Sequence, residues 1–240
     1  VEFNASFGRA LPILRELHEK LISDIADEIV ERTPAVRLVL IAGPSSSGKT
    51  TFSRRLAIQL RVNGLRPFAL GLDDYFVDRE LTPCDENGDY DFESLDAVDL
   101  ALFSEQLLAL MDGQAVALAH YDFKTEQSER GEQVQLARDA IIFVEGIHGL
   151  NPRLIEALPA ECVYRIYVSA LTQLNIDHHN RVPTTDTRLL RRIVRDAAHR
   201  GYSARDTIAR WESVRRGEER NIFPYQENAD VMFNSALVYE

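Results

Sequence analysis

The residues best suited to chemistry lie in one stretch, Gly43-Pro44-Ser45-Ser46-Ser47-Gly48-Lys49-Thr50-Thr51. Its spacing fits G-x-x-x-x-G-K-[ST], the phosphate-loop pattern, through Gly43, Gly48, Lys49 and Thr50. The glycines let the backbone curl until successive N–H groups, from Ser45, Ser46 and Ser47 on to Thr51, face one phosphate chain. Lys49 adds a mobile positive charge for the β- and γ-phosphates, and the Thr50 hydroxyl completes a Mg²⁺ shell. ATP and Mg²⁺ are the ligands such a stretch predicts.

Other candidates stand at the ends of apolar runs. Residues 38–42 read as a buried parallel strand feeding the loop, and 52–60 as an amphipathic helix leaving it, stopped near Asn63-Gly64. Residues 66–72 read as a second strand ending in Asp73-Asp74-Tyr75-Phe76, and 140–146 as a third ending in an acid, Glu145. Open α/β sheets bind ligands beyond the carboxyl ends of their strands. Asp73 is therefore the candidate base for an acceptor hydroxyl, and Glu145 the candidate Mg²⁺ ligand, directly or through water. Asp74 reads equally well as a turn or helix cap. Tyr75, Phe76, Phe92, Tyr121 and Phe123 flank the loops beside these strand ends and are candidates to line an acceptor pocket. A helix over 186–200 would set Arg188, Arg191, Arg192 and Arg195 on one face, with Arg200 after it. The arginine fork suits phosphate, so two or three of these are expected to reach ATP. His148 follows the third strand without an evident role, and His178-His179 read as surface histidines.

These residues need a frame, and the periodicity supplies one. A helix over 9–32 ends at Thr33-Pro34. Residues 77–95 form a long polar loop of the kind that serves as a lid. A helix over 96–111 takes Asp96 as its cap. Strands follow at 116–121 and 134–136, a short helix at 151–158 and a fourth buried strand at 162–168. Helices near 171–181, 186–200 and 203–219 precede a strand at 231–233, with 237–239 pairing nearby. The alternation predicts a P-loop NTPase three-layer α/β sandwich with a mainly parallel sheet and a helical, arginine-rich lid. Residues 1–36 read as a helix and linker from an upstream region, and 37–240 as the P-loop domain. The chain begins at a valine, which fits an excised or processed piece.

Bulk properties narrow the class. The 240 residues carry a net charge of -11, which argues against a general nucleic-acid binder but not against a locally basic ATP site. No apolar run approaches the ~20 residues that cross a bilayer. No signal peptide is evident. Cys84 and Cys162 are far apart and read as reduced thiols of a cytoplasmic protein.

The runs GPSSSGKTT, LDDYF, YDFES, HYDF, FVEGIHGLN and RLLRRIVRD with HRG resemble the uridine/cytidine kinase family, related to phosphoribulokinases. The resemblance extends from about residue 37 to near the end. It is nearest to bacterial uridine kinase-like proteins that carry a threonyl-tRNA-synthetase-like region before the kinase domain. It implies transfer of the ATP γ-phosphate to a nucleoside 5′-hydroxyl, with Asp73 as base. Glu93 and Phe92 would hold the ribose, Tyr121 and Phe123 would flank the base, and Arg192 would reach the ribose. Arg195 and Arg200 would act as lid arginines on phosphate. Family members are often homo-oligomers. Three positions depart from the family pattern: Lys124-Thr125-Glu126-Gln127 stands where a histidine is usual, Tyr202 where an arginine is, and Arg210 where a glutamine is. Acceptors other than uridine, and an ATP-binding regulatory module with slow hydrolysis, are the competing readings.

Overall fold

A strand that is apolar on both sides must be covered on both sides. The computed structural model, which describes residues 2–86, 88, 90–122, 125–156, 158–171 and 180–237, meets that need with three layers. Helix α1 (Glu2–Glu31) leads into β1 (Leu38–Ala42), α2 (Lys49–Val62) and β2 (Pro67–Gly71). Helix α3 (Leu100–Met111) then precedes an antiparallel hairpin of β3 (Ala115–Asp122) and β4 (Gln127–Gln135). The chain continues through β5 (Ile141–Glu145), β6 (Val163–Ser169), α4 (Thr184–His199), α5 (Ala204–Asn221) and β7 (Val231–Asn234). Five strands form one parallel sheet in the order β2-β5-β1-β6-β7.

Successive side chains of β1 point to opposite faces, as the strand period of two requires. Leu38 and Leu40 join Phe103, Leu107 and Leu110 of α3 on one face. Val39 and Ile41 join Phe52, Leu56 and Leu60 of α2, with Ile22, Ile25, Ala26 and Ile29 of α1, on the other. The second half of α1 is thus part of the core.

Several local expectations are corrected. Asp99, not Asp96, caps α3, accepting the Leu102 N–H at 2.9 Å. The extended backbone at Val98 separates that helix from the 3-10 turn Leu95–Ala97, where Asp96 sits. The described residues among 151–158 hold a 3-10 turn, Pro152–Ile155, instead of the expected helix. Strand β4 is far longer than the 134–136 expected. Its residues are exposed or half-buried throughout, so no apolar alternation marks it, and backbone pairing with β3 defines it. The proposed helix at 171–181 falls mostly on residues 172–179, outside the described residues, as does most of 237–239.

One buried side chain ties three of these elements together. Gln106 of α3 accepts from the Tyr75 hydroxyl (2.9 Å) and the Ala119 N–H (3.1 Å), and donates to the Ala117 carbonyl (3.0 Å). It anchors both β3 and the turn after β2. Replacing it by leucine strands these buried partners at about 1–3 kcal/mol each. The Gln106→Leu variant should lose roughly 2 kcal/mol or more in urea unfolding, without a change in m-value.

Candidate active site

The carboxyl ends of three neighbouring strands lie level: Ile41 of β1 and Gly71 of β2 both pair with Glu145 of β5. The phosphate loop leaves β1, with β5 lying between β1 and β2. Gly43 has φ 153, and a Cβ there would stand 2.0 Å from the Val168 carbonyl oxygen, so only glycine fits. Gly48, at φ 90, is the N-cap of α2. Lys49 Nζ donates to the Gly43 carbonyl at 2.8 Å and the Pro44 carbonyl at 3.3 Å, folding back along the loop. The Thr50 hydroxyl donates to Glu145 Oε1 at 2.7 Å. Two oxygen donors from distant parts of the chain therefore meet at the first turn of α2, a donor set suited to a hard cation such as Mg²⁺.

Charges around this point perturb one another. Burial lowers the Lys49 pKa, while Glu145, Asp73 and Glu93 pull it back up. Asp73 is reached by solvent from the cleft, but protein crowds its other sides. That desolvation raises its pKa, and Lys49 opposes the rise. Burial lifts Glu93 to about 7, against the pull of Arg192. The loop 77–95 thus delivers Glu93 into the same cluster as Asp73, Lys49 and Glu145. Arg200 also bears on Asp73.

The arginine face of α4 is real, but most of its arginines bind protein. Arg188 Nε donates to the Ser45 carbonyl at 2.9 Å, and Arg192 Nη1 to the Ser45 hydroxyl at 2.8 Å. Arg191 donates to the Ser235 carbonyl at 3.2 Å, and the Ser235 hydroxyl in turn donates to the Ser47 carbonyl. Arg195, expected on phosphate, lies 2.8 Å from buried Asp196, with Arg192 at 3.4 Å and Arg200 at 3.9 Å. Burial alone would raise the Asp196 pKa, but Arg195, Arg192 and Arg200 outweigh it and hold the carboxylate below its usual range. Asp196 thus parks the expected phosphate arginines at the rim of the cleft.

The aromatic candidates divide. The expectation that Tyr75 lines the acceptor pocket is corrected. Its side chain is buried, packs edge-on against Phe103 at 5.2 Å, and gives its hydroxyl to Gln106. The 3-10 turn Leu72–Tyr75 points Tyr75 into the core and leaves Asp73 outside. Phe76 lies edge-on to both Phe92 (6.1 Å) and Tyr121 (5.6 Å), so three of the proposed residues do form one cluster. Phe123, like Lys124, lies outside the described residues, and so do His178 and His179. Asp74 sits within the 3-10 turn Leu72–Tyr75, as the turn reading expects, and His120 Nδ1 lies 3.1 Å from its Oδ1, joining β3 to the turn that carries Asp73. His148 is buried, and that desolvation lowers its pKa to about 4, which keeps it neutral.

Sequence reasoning missed Glu218, 1% exposed, whose Oε1 accepts the Ser45 N–H at 3.0 Å and pairs with Arg188. It stands among Arg215, Arg216, Glu219 and Arg220, where a charge run reads as solvated.

The raised Glu93 pKa has a signed consequence. The folded protein binds this proton more tightly than the unfolded chain, so the contribution is full below about pH 4.5 and is lost as pH rises through 7. Glu93→Gln should therefore melt about 2–4 °C above the parent at pH 8. The difference should narrow toward pH 4.5; a pH-independent offset would move the titration to another group.

Known proteins resemble this chain. The chain is 29% identical over 197 residues to a uridine kinase of Ligilactobacillus salivarius, covering 81% of this chain and 83% of that one. It is 26% identical over 194 residues to a uridine kinase of Halobacterium salinarum, covering 80% and 77%. A D-glycerate 3-kinase from Cryptococcus neoformans shares the fold, with TM-score 0.54, 15% identity and coverage of 88% and 90%. The pattern described as Phosphoribulokinase / Uridine kinase family matches residues 38–238. The chain belongs to that family and is a P-loop phosphotransferase.

Proposed function

We propose that the protein transfers the γ-phosphate of ATP to the 5′-hydroxyl of a nucleoside, with Mg²⁺. The observation that carries this reading is Asp73. It is an acid of raised pKa, open to the cleft, in electrostatic contact with Lys49 and Glu145 beside the phosphate loop. In the reaction the acceptor oxygen bonds to the γ-phosphorus, the bond to the β,γ-bridging oxygen breaks, and ADP leaves. Asp73 takes the hydroxyl proton, and its raised pKa suits that task. Lys49 turns from the Gly43 and Pro44 carbonyls to the β- and γ-phosphates. The Thr50 hydroxyl and Glu145 would hold Mg²⁺, which when bound neutralises phosphate charge. Ser45, Ser46, Ser47, Gly48 and Thr51 supply the loop around the phosphates. Arg195 and Arg200 exchange Asp196 for phosphate as ATP enters. Glu93 and Phe92 hold the sugar with Arg192 near them, and the cluster of Phe76, Phe92 and Tyr121 packs on the base, to which the family resemblance also assigns Phe123. Residues 37–240 would be the kinase domain, and 1–36 the helix and linker from an upstream, threonyl-tRNA-synthetase-like region.

A second acceptor, a different small hydroxyl compound, is favoured by one observation. Tyr202 and Arg210, two positions that depart from the uridine/cytidine pattern, stack on each other with the guanidinium 4.8 Å from the ring centre. A pair engaged in this way is not offered to a pyrimidine in the usual manner.

The test is Mg²⁺-dependent ADP production against a panel of ribo- and deoxyribonucleosides and small polyols, with a blank lacking acceptor. Nucleoside-dependent turnover supports the first reading, and polyol-dependent turnover replaces it with the second. Asp73→Asn should keep ATP affinity and lose ~10²-fold or more in kcat. Lys49→Ala should weaken ATP binding and abolish turnover. An Asp73→Asn enzyme as fast as the parent would move the base elsewhere.

A further inference from the structure

Every polar group of one phosphate-loop residue is held by the two lid helices. The Ser45 N–H goes to Glu218 of α5, its carbonyl to Arg188 of α4, and its hydroxyl to Arg192 of α4. Arg188 and Glu218 form an ion pair at 2% and 1% side-chain exposure, and the Arg188 guanidinium also lies 5.3 Å from the Trp211 ring centre. A buried pair of this kind has little freedom to move, because separating it leaves an uncompensated buried charge.

The residue before Glu218 is a glycine for a reason of packing. Gly217 is buried in α5, and a Cβ there would stand 2.5 Å from Glu93 Cβ and 2.8 Å from Glu93 Cγ. The loop 77–95 therefore rests directly on the α5 backbone at the position next to the Ser45 grip. Arg220 fastens the same loop a turn further on, through Glu86 at 2.6 Å. Glu93 and Glu218 are moreover like charges that act on each other and share Lys49 as a nearby cation.

We propose that Gly217 and Glu218 are positioning residues that couple the Glu93 loop to the phosphate loop, so that the two substrate sites are set together. Displacing Glu93 moves α5 at Gly217, and α5 carries the carboxylate that fixes Ser45. Linkage makes the coupling reciprocal: whatever engages Glu93 and whatever occupies the phosphate loop alter each other's affinity by the same factor. The inference rests on the phosphate loop binding a nucleotide, but not on the identity of the acceptor.

The experiment is calorimetric titration of the full chain with ADP and Mg²⁺, without acceptor, alongside thermal melts. Gly217→Ala sets a Cβ 2.5 Å from Glu93 Cβ, so it should melt below the parent by overpacking, with helix propensity offsetting only part of the loss. It should also weaken ADP binding about 5-fold or more, the low end of typical coupling. In a Glu93→Gly background, which removes the colliding atoms, Gly217→Ala should cost nothing. Glu218→Gln, which keeps an acceptor for the Ser45 N–H but loses the charge on Arg188, should weaken ADP binding in both backgrounds, and serves alone if the alanine variant fails to fold. Parent-like ADP affinity in Gly217→Ala, an equal loss in both backgrounds, or parent-like affinity in Glu218→Gln would overturn the coupling. A parent chain that binds no ADP would overturn the nucleotide reading itself.

Discussion

The structure depends on a single constraint: β1 is paired on both edges and buried on both faces. A strand held in that way cannot shift by one residue without turning each side chain to the wrong face. Its last residue, Ala42, is therefore fixed against β6, and the chain must turn at Gly43 beneath the Val168 carbonyl, where no side chain fits. The phosphate loop is the outcome of that turn. β5 beside it and β2 beyond that end at the same level, which brings Glu145 and then Asp73 to one side of Lys49 and Thr50.

The cleft is a contest between desolvation and pairing. Lys49 is pushed toward neutrality, and Asp73 and Glu93 toward protonation, by the same loss of water. Lys49 pulls both acids back and they pull it back, whereas Asp73 pushes Glu93 further up, so a change of charge at one is felt at the others. Phosphate groups bring further negative charge to such a place, and the arginines that could meet it are near at hand. Arg192, Arg195 and Arg200 are gathered on Asp196, and Arg188 joins Arg192 on Ser45, in contacts that hold them without fully burying Arg195 or Arg200. The lid is an organised store of positive charge as well as a cover.

Short polar connections do the remaining work. Gln106 joins α3, β3 and the turn of Tyr75; His120 joins β3 to Asp74. On the far side, Glu86 and Glu93 seat their loop on α5. The phosphate loop is tied down in the same way, with Ser45 bonded to Arg188, Arg192 and Glu218.

The sequence by itself determined the sheet, the phosphate loop and the acids at the strand ends, because buried parallel strands and a curled glycine loop leave patterns in adjacent residues. It also determined that α4 carries an arginine face. Only the tertiary structure decided what those arginines touch, that Tyr75 turns inward while Asp73 stays out, and that Glu218 reaches the phosphate loop. A polar residue's role depends on its partner, and Ser45 and Glu218 lie 173 positions apart. In α5 the glutamate that becomes buried stands beside one that stays exposed, and nothing local distinguishes them. Likewise β4 has no apolar face to announce it, since its pairing with β3 is made by the backbone, which every residue carries alike.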